Sequence, residues 1–297
     1  MVVKKEIFMN KIMPVKAEKR VLLVDCHNIF RRNFEAIKNK GDKDSLERAI
    51  EASNSTYNAI IKDIRFIKPT HALVAFEGEN GWREKYYPEY KLDKETGKRR
   101  IMTDAMKKSI LEVRSRLTRD KIFCISKEGL EADDIIGAFS KKLTSVNIAH
   151  TIDSNDKDYF QSINQLCNCY NRKDRVVIDE KAVFEKFGLM PRQITDYLCL
   201  VGDNADNIKG VAGIGHKRAC EFLSKYRDIE GIIENAPIIG GKVGETLMLD
   251  ETAQHIDFIK KMIDINIDIN FGIKLSDLLL DSNISKVITH DYDQYGR

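Results

Sequence analysis

Proline is scarce in this chain, with 5 residues in 297, and tryptophan occurs once. So little proline excludes a collagen-like or proline-rich linker protein, and 42% hydrophobic residues suffice to bury a core. The 6 cysteines (Cys26, Cys124, Cys167, Cys169, Cys199 and Cys220) include no CxxC pair. Cys167 and Cys169 form a CxC without a nearby histidine pair, which argues against zinc and for small apolar fillers in a reducing compartment. No apolar run approaches the roughly 20 residues that a membrane span needs. The N-terminal MVVKKEIFMNKIMPVKAEKR lacks the continuous apolar segment of a signal peptide. Residues 1–19 therefore read as a flexible basic leader on a cytoplasmic chain. No internal repeat or low-complexity segment is evident.

Charge is balanced overall, at +3, but unevenly placed. Between Trp82 and Lys121 there are 13 Lys and Arg against 7 Asp and Glu, and residues 209–227 carry 5 basic residues and 1 acid. Such runs are ordinarily solvated helix faces. Two of them in a near-neutral chain imply that acids are concentrated elsewhere.

Apolar runs VLLVD (21–25), ALVAFE (72–77), IFCI (122–125) and VNIAHTID (146–153) have the length and β-branching of buried strands. Segments 45–67 and 131–143 have helical spacing, the first presenting Leu46, Ala49, Ile50, Tyr57, Ile60, Ile61 and Ile64. The alternation predicts an α/β fold with a parallel central sheet flanked by helices. CNCY and RVVI, separated by NRKD, predict a hairpin at the sheet margin. The domain reading is a core over 20–190, interrupted by a basic insertion at about 82–121, and a helical region over 191–297.

On this scheme the acids fall at strand ends. Asp25 follows the first strand, Glu77 the second, Glu131, Asp133 and Asp134 the third, and Asp156 and Asp158 the fourth. Singly, each has an ordinary structural use: Asp25 can cap the turn before Asn28, and Glu131 with Asp133 can start a helix. Together they converge on the carboxyl edge of a parallel sheet, where ligands bind. Asp203 and Asp206, three apart, face the same way and could close over that edge. Such a crowd of carboxylates needs cations. Oxygen ligands without His or Cys select Mg²⁺, with Mn²⁺ as substitute, and a pair of such ions serves phosphodiester displacement. After the two aspartates, Gly210, Gly213 and Gly215 space a loop whose amides suit phosphate, with Lys217 and Arg218 following.

VDCHN (24–28), WREKYYPEYK (82–91), EADD (131–134), SNDKDYFQ (154–161) and GDNADNIKGVAGIGHKRA (202–219) resemble, in this order, the motifs of the 5′-nucleases. That family comprises flap endonucleases and 5′–3′ exonucleases, including free-standing bacteriophage members and the nuclease domain of bacterial DNA polymerase I. The resemblance implies a two-metal site of Asp25, Glu77, Glu131, Asp133, Asp134, Asp156, Asp158, Asp203 and Asp206. Position 77 departs from the family's usual Asp. The resemblance also implies a helical arch at 82–121 through which a 5′ single strand passes. Arg83 and Lys91 would there stabilise charge on the phosphate, and Tyr90 would stack on a base, with Lys98, Arg99, Arg100, Lys107 and Lys108 setting the field. It implies a helix–three-turn–helix DNA-binding element at 208–226 with potassium held by loop carbonyls. The expected enzyme is a monomeric, structure-specific nuclease acting on DNA with 5′ flaps, nicks or ends, in a bacterial host's cytoplasm if phage-encoded. The same acids would serve cleavage of RNA–DNA hybrids. A binding-only relative would lack carboxylates that are present here.

Overall fold

A computed structural model describes residues 19–37, 45–93, 96–99 and 102–281. Most of the leader, Arg100 and the tail from residue 282 lie outside the described residues. The core runs β1 (Arg20–Asp25), α1 (Cys26–Ala36), α2 (Leu46–Ile67), β2 (His71–Ala75), α3 (Trp82–Tyr86), α4 (Asp104–Arg119), β3 (Phe123–Ile125), α5 (Ala132–Ser145) and β4 (Ala149–Asp153). A 3-10 turn (Lys157–Ser162), β5 (Cys167–Asn171), β6 (Val176–Ile178) and α6 (Glu180–Phe187) complete it. The strands lie in the order β3-β2-β1-β4-β5-β6, parallel except for β6, which pairs antiparallel with β5 as the margin hairpin.

Strand β1 takes the centre because it is apolar on both faces. Val21 and Leu23 pack on one side of the sheet, Leu22 and Val24 on the other, and all four are fully buried. Each such side chain contributes about 1.5–3 kcal/mol relative to exposure, which an edge position would forfeit. The even-numbered side is covered by α1, α2 and α4 through Phe30, Ile60 and Val113. Ser45 caps α2 by accepting from the Arg48 amide, and Lys68 ends it in the left-handed region just before Pro69. Leu46 and Ile50 depart from the expected apolar face and are exposed on the first turns of α2.

The 82–121 segment is only partly an excursion. Helix α4 belongs to the core layer through Ile110, Val113 and Leu117, and Tyr90 and Met102 before it are buried as well. The odd-numbered side of the sheet meets α5 and the C-terminal helices α7 (Ile194–Val201), α8 (His216–Tyr226), α9 (Ile229–Glu234), α10 (Ala236–Ile239), α11 (Gly241–Leu247) and α12 (Asp250–Ile263). One continuous cluster crosses the expected boundary at 190/191, joining Leu23 and Ile135 to Leu198, Leu223 and Ile259. A two-residue ladder, β7 (Gly202–Asp203) with β8 (Ile208–Lys209), interrupts the helices. Beyond α12 the chain crosses α5 and returns to the sheet, where Leu279 bridges His71. Among the described residues no helix is long and apolar enough to cross a membrane.

That crossing has no tolerance at Gly137, where an added Cβ would stand 1.9 Å from the Ile265 carbonyl oxygen. Gly137→Ala gains up to about 1 kcal/mol of helix propensity. The forced separation of backbone costs about 1–3 kcal/mol and should dominate. Urea unfolding is expected to show a net loss of stability, and an unchanged or raised midpoint would contradict the packing of residues 263–265 on α5.

Candidate metal centre

Strand order brings the acids together. Because β1 lies between β2 and β4, with β3 outside β2, the residues following these four strands share one edge of the sheet. A pocket of about 290 Å³ there is lined by six of the expected acids, Asp25, Glu77, Glu131, Asp133, Asp156 and Asp206. Beside it, Asp158, Asp203 and Asp206 each offer a carboxylate oxygen, all within 4.8 Å of one another. Eight of the nine acids thus meet at one place.

Each is aimed by a local device. Asp25 ends β1 and caps α1, accepting from the Asn28 amide at 2.9 Å, while its other oxygen accepts from Tyr159 at 3.0 Å and Ser154 at 3.3 Å. Asp156 accepts from the Asp158 amide at 3.1 Å, so the two are held by one turn. Asp203 lies on the short ladder, accepting from the Ala205 amide at 2.8 Å. Glu77 is placed through its backbone, whose amide donates to His27 Nδ1 at 3.0 Å, and its carboxylate faces Arg31 at 3.6 Å.

The expected ligand Asp134 is instead turned away from the pocket. It is fully buried, its Oδ1 paired with Arg83 Nη2 at 2.8 Å and its Oδ2 accepting from Arg83 Nη1 at 2.8 Å, Trp82 Nε1 at 3.1 Å and the Glu131 amide at 3.1 Å. Arg83 differs correspondingly from a phosphate-facing cation. At 1% exposure it pairs with Glu131 at 3.0 Å, lies 3.6 Å from Asp133, and donates to the Met262 carbonyl at 2.7 Å. It neutralises the acids from beneath.

Tyr90 also departs from expectation, because a ring that is 1% exposed offers no face to a base. Its hydroxyl faces Glu131 at 2.8 Å and Asp206 at 3.1 Å. A phenol has one proton to donate, so one of those carboxylates is left to hold a proton or attract a cation. Lys91 does reach the pocket, paired with the other oxygen of Glu131 and tied by its amide to the Asp206 carbonyl at 3.0 Å. Of the expected arch cations, Arg99 is engaged with Glu84 at 3.1 Å.

Proton affinities register the crowding. Burial, reinforced by Asp156 and Glu77, pushes the Asp25 carboxyl up to about 7. Burial, with Asp203, Glu131 and Asp156 adding to it, pushes Asp206 up to about 6. Asp133 and Asp158 are also raised by burial and neighbouring carboxylates, and one Asp158 oxygen is buried without a hydrogen-bond partner. Glu131 runs the other way: burial opposes its charge, but Lys91 and Arg83 hold it below the usual range. Sequence reasoning overlooked three participants. Arg31 and Asn28 line the pocket one turn along α1, and Lys157 pairs with Asp203 at 2.9 Å. Only Lys157, flanked by acids in SNDKD, carried a readable signal.

In the glycine loop, the expected phosphate-binding residues divide. Gly210 is turned inward, where a Cβ would stand 2.3 Å from the Val201 carbonyl carbon, so its smallness serves packing. Gly213 has φ +80°, and its carbonyl accepts from Arg218. The chain's own guanidinium thus holds the turn at Gly213 from within. Gly215, at the N-terminus of α8, has open space around it, and Lys217 is exposed.

The chain is similar to known proteins over most of its length. The family description "5′-3′ exonuclease, N-terminal resolvase-like domain" matches residues 20–188, and "5′-3′ exonuclease, C-terminal SAM fold" matches 189–285. The chain is 29% identical over 263 residues to DNA polymerase I of Borreliella burgdorferi, an alignment covering 86% of this chain and 28% of that polymerase. It is 27% identical over 259 residues to flap endonuclease Xni of Psychromonas ingrahamii, covering 87% and 96% of the two chains. In fold it is similar to phage T5 5′-exonuclease with divalent metal ions (zinc) bound, with TM-score 0.65, 20% identity, and 84% and 90% of the chains covered. It is also similar to the catalytic core of Rad2 in complex with DNA substrate, with TM-score 0.51, 16% identity, and 93% and 78% covered.

Raised carboxyl affinities have a definite thermodynamic sign. An acid whose folded value exceeds its unfolded one stabilises the fold while protonated, and that stabilisation is lost as pH rises through the folded value. With Asp206 near 6 and Asp25 near 7, the metal-free protein should lose stability between about pH 5 and about pH 8, on the order of a few kcal/mol. Melting in EDTA should show this fall, and Mg²⁺ should raise the melting point more at the higher pH. Equal Mg²⁺ effects at both pH values would mean that the crowded acids do not hold the ion.

Proposed function

The chain belongs to the 5′-3′ exonuclease family and is a nuclease acting on DNA, and on that premise we propose that it is a metal-dependent, structure-specific 5′-nuclease cutting at flaps, nicks and ends. The observation that carries this reading is the charge count at the sheet edge. Eight acids (Asp25, Glu77, Glu131, Asp133, Asp156, Asp158, Asp203 and Asp206) with Asp134 beneath them are met by four cations (Arg31, Arg83, Lys91 and Lys157). The excess of five negative charges is within one unit of what two divalent ions supply. The oxygen-only donor set and the orphaned Asp158 oxygen suit Mg²⁺ or Mn²⁺. Asp25, Glu131, Asp133 and Asp156 on the pocket wall, with the Asp158, Asp203 and Asp206 group beside them, are the residues that would hold the ions. Glu77 would act through its longer reach from the end of β2. When bound, the ions would supply a nucleophilic water near neutral pH and neutralise charge on the phosphate.

The rest falls to the chain. Hydrolysis adds water oxygen to phosphorus and breaks the bond to the 3′ oxygen, leaving a 5′-phosphate and a 3′-hydroxyl. Lys91 would face the phosphate across the pocket, steadied by Glu131, while Arg83 and Tyr90 keep the acids in position from below. Lys217 and the open backbone at Gly215 would hold duplex phosphate, which carries no base code, so shape would decide the substrate. The same site would accept an RNA–DNA hybrid, and parallel assays on flap, nicked and hybrid substrates would rank them.

Asp206→Asn is expected to reduce turnover of a 5′-flap substrate in Mg²⁺ by several orders of magnitude. Binding measured in Ca²⁺ should be kept or strengthened, because the ions act most on charge developing in the transition state. Glu77→Gln should be costly and Glu77→Asp tolerated. Cleavage that persists in EDTA, or full activity in Asp206→Asn, would refute the metal reading.

A further inference from the structure

Three of the four cations at the acidic edge are engaged by the protein itself. Arg83 is buried among Glu131, Asp134 and the Met262 carbonyl, Lys91 is paired with Glu131, and Lys157 with Asp203. Arg31 differs. It lines the pocket with 40% of its side chain exposed, and among the described residues its one carboxylate partner is Glu77, whose Oε2 stands 3.6 Å from Nη2. That distance is an ion contact but too long for a hydrogen bond. Among the described residues, then, the five guanidinium N–H donors find no acceptor.

Helix α1 sets the direction of Arg31. Asp25, Asn28 and Arg31 are three apart and line the same wall, on a helix that Phe30 and Phe34 anchor in the core. Glu77 is restrained in turn by His27. The Glu77 amide can only donate, so His27 Nδ1 accepts it at 3.0 Å and the ring proton sits on Nε2, 3.9 Å from Glu77 Oε2. One carboxylate oxygen is thus shared between His27 and Arg31, and neither holds it within hydrogen-bond range. A partly exposed pair of this kind is a weak restraint. A phosphodiester offers the same fork two non-bridging oxygens, which accept parallel charge-assisted bonds.

We infer that Arg31 is a substrate-contacting residue, whose guanidinium leaves Glu77 for the non-bridging oxygens of a phosphodiester entering the pocket. Glu77 keeps it on that wall while the site is without DNA. Lys91 attracts the phosphate as a point charge, and Arg31 orients it through a planar, paired contact. The inference rests on the nuclease reading, and the experiment separates the two.

Affinity for a 5′-flap substrate would be measured in Ca²⁺, with the phosphate at the cleavage position and its two neighbours replaced one at a time by methylphosphonate. That replacement removes the charge and one non-bridging oxygen. Wild type would be compared with Arg31→Ala, Arg31→Lys and, as a control for unit charge, Lys181→Ala on α6. At one of the three positions the loss on replacement should be about tenfold larger for wild type than for Arg31→Ala. Arg31→Lys should restore only part of that difference, and Lys181→Ala should keep the wild-type pattern. If all three replacements cost Arg31→Ala as much as they cost wild type, Arg31 is a counter-charge for Glu77 and touches no phosphate, while the nuclease reading stands. Full restoration by Arg31→Lys would refute the paired contact. If wild type neither binds the flap in Ca²⁺ nor cuts it in Mg²⁺, the nuclease reading fails and takes this inference with it.

Discussion

The buried guanidinium of Arg83 is the tie on which the rest of the site depends. One side chain joins three parts of the chain: the short helix α3 that carries it, the acidic start of α5, and the last turn of α12 through Met262. Removing it would leave Asp134 charged and unpaired in the interior, a loss that typically costs about 3–5 kcal/mol. It would also release the C-terminal helices from the carboxylates they help to enclose. A planar, permanently charged fork with five donors suits this junction, and a lysine could satisfy only part of it.

Above that tie the molecule stores electrostatic repulsion. Tyr90, Lys91 and Lys157 compensate it incompletely, each touching acids from different segments. The raised proton affinities of Asp25, Asp133, Asp158 and Asp206 follow from burial with too few counter-charges. The site is therefore poised for divalent cations, and stability and function become linked through the same carboxylates. Asp134 belongs to the scaffold of this arrangement because its partner is supplied from within.

The two faces of the sheet divide the labour. The even-numbered face is closed by α1, α2 and α4 and serves stability. The odd-numbered face shares its hydrophobic cluster with the C-terminal helices, so Asp203, Asp206 and the glycine loop are held in fixed relation to the acids of the strand ends. That shared core makes the acidic site and the glycine loop parts of one packed unit.

The sequence by itself determined the parallel sheet, the edge hairpin and the convergence of the acids. These rest on local pattern: apolar runs of strand length, and carboxylates placed just after them. Tertiary structure alone decided which acids face the pocket. Asp133 and Asp134 are neighbours on one helical turn and point in different directions, and Arg83, remote in sequence, supplies the partner that lets Asp134 lie in the interior. The same holds for Tyr90, whose ring is buried by packing that no local signal announces, and for Arg31, which reaches the site because α1 starts at Asp25. Side-chain direction depends on partners from distant segments, and those partners exist only in the folded chain.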